Sequence, residues 1–75
     1  MGMIKSFITL QGINDIIKFT QQASFVDGDV IVSRGAYKVD GKSLMGNMSI
    51  DVSQGISVEY PEDATKFKEF IQQYM

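Results

Sequence analysis

Two short segments separated by a three-residue gap set the first limit on the fold. Val30-Ile31-Val32-Ser33 is rich in β-branched residues, which suit a pleated, half-buried surface, and Tyr37-Lys38-Val39-Asp40 alternates with period two. Only Arg34-Gly35-Ala36 lies between them, and Gly35 accepts the positive φ of a tight reversal. A connection this short joins antiparallel neighbours, because a parallel crossover needs about a dozen residues or more. The pair is read as a hairpin, which disfavours an all-parallel α/β architecture.

The flanking segments supply what the hairpin packs against. Met3–Leu10 mixes short polar residues with Ile4, Phe7 and Ile8 and predicts a strand, with its inward face left open by the pattern. Gln11-Gly12 breaks it. Asn14 then offers an N-cap to a helix running to about Ser24, with Ile13 as a hydrophobic staple against Ile17 or the stem of Lys18. Ile13, Ile16, Ile17, Thr20 and Ala23 fall at helical spacing and are expected to form its buried stripe. Asp27-Gly28-Asp29 is a turn signal leading into the hairpin.

Beyond the hairpin, Gly41 releases the chain toward Ser43, an N-cap for a short helix expected to fade by Asp51–Gln54, with Gly55 as its stop. Ile56-Ser57-Val58-Glu59-Tyr60 is the cleanest strand, with Ile56, Val58 and Tyr60 on one face. Pro61 ends it, and Asp63 is placed to cap a last helix through Tyr74 whose core stripe is Phe67, Phe70, Ile71 and Tyr74. The order strand, helix, strand, strand, short helix, strand, helix predicts an α+β open-faced sandwich. At 75 residues the chain is expected to be one domain, 1–75.

Several function classes are excluded by what the chain lacks. Without cysteine there are no disulfides, thiolate metal sites or cysteine nucleophiles, and without histidine there is no imidazole base, common metal ligand or phosphohistidine. The paired carboxylates Asp27/Asp29 and Glu62/Asp63 have no companion nucleophile or base, and a turn and a helix cap explain them. No enzyme activity, cofactor or metal is expected. A net charge of −2 with seven scattered basic residues argues against a nucleic-acid surface. No apolar run reaches membrane-spanning length, and Met1–Leu10 lacks the long apolar stretch of a signal peptide, so a soluble, cytoplasmic protein is expected.

The candidate functional segment is Gly41–Ile50. Leu44, Met45 and Met48 give its short helix one apolar side, and a serine at the N-cap sits at the positive end of the helix dipole, where a phosphate is best tolerated. On the residues alone, Ser43 reads as an ordinary cap on a short core helix.

Lys42-Ser43-Leu44-Met45-Gly46-Asn47-Met48-Ser49-Ile50, followed by Gly55, resembles the regulatory-serine segment of HPr, the histidine-containing phosphocarrier of the bacterial sugar phosphotransferase system. Ala23-Ser24-Phe25 leading into Asp29-Val30, Gly41 before the serine, and the same element order extend the resemblance over nearly the whole chain. It implies a four-stranded antiparallel sheet with three helices on one face. It also implies that Ser43 matches the family's regulatory phosphoserine, written by an HPr-type kinase. Leu44, Met45 and Met48 match an apolar patch that docks protein partners, among them a catabolite-control regulator; a monomer is expected. Where the family carries its phosphorylatable histidine this chain reads Leu10-Gln11-Gly12-Ile13-Asn14-Asp15, in a loop several residues shorter. The resemblance therefore points to a non-catalytic regulatory or protein-binding module. A divergent phosphocarrier and an orphan interaction domain are the alternatives.

Overall fold

The computed structural model describes residues 2–75. Four strands, β1 (Met3–Ile8), β2 (Ile31–Arg34), β3 (Tyr37–Asp40) and β4 (Ile56–Pro61), alternate with three helices, α1 (Ile13–Ser24), α2 (Leu44–Met48) and α3 (Thr65–Ile71). Short 3-10 turns follow α2 at Val52–Gln54 and α3 at Gln72–Tyr74. The strands form one antiparallel sheet in the order β1-β4-β2-β3. This is the α+β open-faced sandwich that the element order predicts.

The last strand to be made occupies the middle of the sheet, so its alternation sets the inward face for its neighbours. Ile56, Val58 and Tyr60 are buried, and they stand opposite Ile8, Ser6 and Ile4 of β1. Val58 also faces Val32 of β2. The register settles the phase that the first strand leaves open: Ile4, Ser6 and Ile8 face inward, and Met3, Lys5 and Phe7 face outward. Ser6 is the polar exception on that inner face. Its hydroxyl lies 2.8 Å from the phenol of buried Tyr60, which gives a hydrogen-bonding group that burial would otherwise strand its partner. On the open face, the hydroxyls of Ser33 and Ser57 meet at 2.7 Å across β2 and β4.

Helix α1 departs from the sequence reading at its start and in its stripe. Its N-cap is Gly12, in extended backbone and without a side-chain cap, and Ile13 and Asn14 already lie inside the helix. The carboxylate of Asp15 instead reaches back to accept the Gln11 N–H at 3.0 Å. Beginning the helix at Ile13 does not change its periodicity, yet the buried residues are Ile16, Phe19 and Ala23, with Thr20 beside them. Ile13 and Ile17 are 48% and 38% exposed, so neither is core and Ile13 is no staple. Phe19 wins the inward position because its ring packs edge-on to Phe67 of α3, with centroids 5.6 Å apart.

Phe67 ties the layers together, since it also meets Tyr60 of β4 at 5.4 Å. With Ile71 it is buried, while Phe70 and Tyr74 pack against the core half-covered. Helix α3 is capped by Ala64 and receives no side-chain cap, so Asp63 does not play the role its position suggests. Pro61 is the last paired residue of β4, opposite Met3, and the strand ends there as expected.

Candidate functional site

Ser43 is the N-cap of α2. Its backbone is extended, and its Oγ accepts the Gly46 N–H at 3.1 Å, satisfying one of the first-turn donors that a helix leaves unpaired. The entry to α2 is fixed from the other side by Asp40, whose carboxylate accepts the Lys42 N–H at 2.9 Å, and by the Gly41 N–H donating to the Val30 carbonyl at 2.7 Å. The Lys42 ammonium turns away from Ser43 and donates to the Val26 carbonyl at 2.7 Å.

The apolar side of α2 is not core. Leu44, Met45 and Met48 are all exposed, Met45 at 84%. The residue that seats the helix is Asn47, which is buried and donates through Nδ2 to the Thr20 hydroxyl and to the Gly41 carbonyl, each at 2.8 Å. Sequence reasoning missed it, although a signal was there: Asn47 stands at the i+3 position from Leu44, between the two apolar residues of the same stripe. Thr20, its partner on α1, shares a stripe with Ile13 and Ile17 at i, i+4 and i+7. Exposed apolar residues of both helices therefore flank the Thr20–Asn47 contact. Ser43, Leu44, Met45 and Met48 lie on α2 and its cap, and Ile13 and Ile17, from the stripe expected to be core, are exposed on α1.

The N-terminal end of α1 has a different character. Its first turn carries the Asp15 carboxylate, which accepts the N–H of Gln11, the residue before the cap. The negative charge is felt nearby: burial pushes the Tyr74 phenol above its ordinary range, and Asp15 adds to the shift. Beyond α2, the Ser53 hydroxyl donates to Asp51 at 2.6 Å and holds that exposed carboxyl below the usual carboxylate range. Among the described residues no group of three or more acidic side chains, with no histidine or cysteine to assist, is arranged to hold a metal ion. No helix among them is long and apolar enough to cross a membrane.

The fold has close counterparts among solved structures. The crystal structure of HPr-C-His from Thermoanaerobacter tengcongensis superposes with a TM-score of 0.76 at 26% identity, over 97% of this chain and 93% of that one. The fold of this chain is HPr-like. A phosphocarrier protein HPr from Bacillus anthracis str. Ames shares the fold at a TM-score of 0.74 and 19% identity, over 100% of this chain and 99% of that one. No family model matches the sequence, and a search of curated proteins finds no match. The HPr-like likeness thus lies in the backbone, with a sequence that has moved far from its neighbours. The chain spans nearly the full length of both HPr structures, so no large element of either is missing from it.

Proposed function

We propose that the 75 residues act as one non-catalytic HPr-like domain, a regulatory or protein-binding module of the phosphotransferase-system family that docks proteins through the α1–α2 face. The observation that carries this reading is the set of five exposed apolar residues, Ile13, Ile17, Leu44, Met45 and Met48, on two helices joined by the Thr20–Asn47 hydrogen bond. Apolar side chains left outside a core that is otherwise well filled mark a contact surface, and unbranched methionines adapt to more than one partner. The face is presented by packed helices, so little is lost in ordering it on binding.

Ser43 stands at the edge of this face, and its modification is the proposed control. A phosphate there adds about −1.5 to −2 charge beside Leu44 and Met45, at a helix N-terminus that favours it and against an apolar partner that does not. An HPr-type kinase and a catabolite-control regulator are the partners this reading expects. A divergent phosphocarrier role is less well supported. The chain has no histidine, and Asp15 puts a negative charge in the first turn of α1, where a transferred phosphate would need the opposite.

Incubation with ATP and an HPr-type serine kinase, followed by intact-mass analysis beside a Ser43→Ala control, tests the switch. One phosphate is expected on the parent chain and none on the control. An unmodified parent, under conditions that phosphorylate a bona fide HPr, removes the switch and leaves constitutive docking through the same face.

A further inference from the structure

A cavity lies away from the α1–α2 face, between the end of α1 and the start of α3. It is an open groove of about 630 Å3, lined by Gln22, Phe25–Asp27 and Asp63–Phe67. Its floor is apolar, since Val26 and Phe67 are buried, and its wall carries Phe25, an aromatic ring that is 80% exposed. Two loops close the groove, and the ring of Pro61 presses against Gly28, so that Asp27-Gly28-Asp29 and Pro61-Glu62-Asp63 are neighbours in space.

The carboxylates of these loops differ from the other aspartates of the chain. Asp15 accepts the Gln11 N–H, Asp40 the Lys42 N–H, and Asp51 the Ser53 N–H and hydroxyl. Asp27, Asp29 and Asp63 accept no side-chain hydrogen bond within 2–75, and Asp63 leaves α3 uncapped although its position suits that role. Two of them line the groove beside the Lys66 ammonium and Asp29 and Glu62 follow in the same loops, while the Lys42 ammonium is engaged by the Val26 carbonyl at 2.7 Å, so four carboxylates stand near two ammoniums. The groove thus combines an apolar floor, an exposed aromatic face and uncommitted carboxylates at its mouth.

We propose that this groove is a second docking surface, and that it takes an arginine-bearing segment of a partner protein. The chemistry of the lining selects the occupant. A side chain that fits must present an apolar stem to Val26 and Phe67, a cation to the Phe25 ring, and hydrogen-bond donors to Asp27 and Asp63; arginine has all three. Its guanidinium is planar, weakly hydrated and able to stack on an aromatic ring while donating in its plane, whereas the lysine ammonium is a strongly hydrated point charge. An acidic segment is repelled by the mouth, and a purely apolar one leaves the carboxylates without a partner. This surface does not depend on Ser43 or on the α1–α2 face.

Backbone amide shifts of the 15N-labelled chain, titrated with acetyl-Gly-Arg-Gly amide and with its Lys and Glu counterparts, test the proposal. Saturable shifts are expected at Phe25–Asp27 and Asp63–Phe67 with the arginine peptide. They should be weaker with lysine, absent with glutamate, reduced by added salt, and not seen at Ile13, Ile17 or Met48. Phe25→Ala and the double variant Asp27→Asn, Asp63→Asn should each weaken binding by about fivefold or more. All three residues are exposed, so these variants keep the fold, which the unchanged remainder of the spectrum checks. No local shift up to about 10 mM peptide, equal shifts with the glutamate peptide, or affinity unchanged in both variants overturns the proposal.

Discussion

Asn47 shows how much of this molecule rests on one side chain. Its amide is sealed under α2, and its orientation is dictated by its neighbours. The Gly41 carbonyl can only accept, and Thr20 Oγ1 has already given its proton to the Ile16 carbonyl at 2.8 Å, so the NH2 must face both. Oδ1 is left buried without a donor, a cost of roughly 1–3 kcal/mol set against two well-formed hydrogen bonds. Asn47→Asp keeps the shape and removes both donors, placing a carboxylate against two acceptors. Burial and the loss of partners raise the folded-state pKa of the introduced carboxyl above its unfolded value. The penalty is therefore full at pH above that folded pKa and shrinks as pH falls through it. Thermal unfolding should show a loss of about 3 kcal/mol or more at neutral pH, partly recovered toward about pH 5. A loss that does not vary with pH would contradict this account. The sequence held only its place between Leu44 and Met48 on one stripe; its two partners were not legible there, and an asparagine reads as surface by default.

At the scale of elements, periodicity identified each helix and strand, and neighbours decided which residues face inward. The alternation Ile56, Val58, Tyr60 was unambiguous because a strand has only two faces, and the structure buries all three. Helix α1 offered more apolar residues than its inner face could hold. By the 100° step of an α-helix, Ile13, Ile16, Ile17, Phe19 and Ala23 spread over an arc of about 160°, and packing against α3 selects the narrower part through Ile16, Phe19 and Ala23. The same surplus is why Ile13 and Ile17 were misread: they fit a core stripe and are surface, while Leu44, Met45 and Met48 drew notice through the segment they share with Ser43. The helix starts were illegible for a related reason. Asn14 and Asp63 have the right side chains for caps, and α1 and α3 begin at Gly12 and Ala64 because the loops entering them are fixed elsewhere. The assignment of faces is testable in urea. Phe19→Ala should cost about 3–5 kcal/mol, whereas Ile17→Ala should cost less than about 1 kcal/mol. Equal losses would mean that α1 is rotated from the packing described here.

At the scale of the whole molecule, the question is whether α3 is a separable cover or part of one cooperative unit. The buried residues form one cluster that draws on β1, β2 and β4 and on α1 and α3, with Val39 of β3 packed against it, and Phe67 is in aromatic contact with Phe19, Tyr60 and Phe70. The chain beyond α3 is tied back as well: the Tyr74 carbonyl accepts the Thr9 N–H at 3.0 Å, just past the end of β1. A helix held at both ends in this way cannot peel off without opening β1 and the core beneath β4. For 75 residues the total stability expected is about 4–11 kcal/mol. Phe67→Ala, at about 3–5 kcal/mol, removes a large share of it. If the molecule is one unit, the variant still unfolds in a single transition, with tyrosine fluorescence and far-ultraviolet circular dichroism shifting to the same lower midpoint in urea. If α3 is only a cover, the fluorescence of Tyr60 and Tyr74 changes first while the strand signal persists, and the two midpoints separate. The edge-to-face rings of Phe19, Tyr60 and Phe67 bind three elements far apart in sequence through one side chain, and that arrangement favours the single transition.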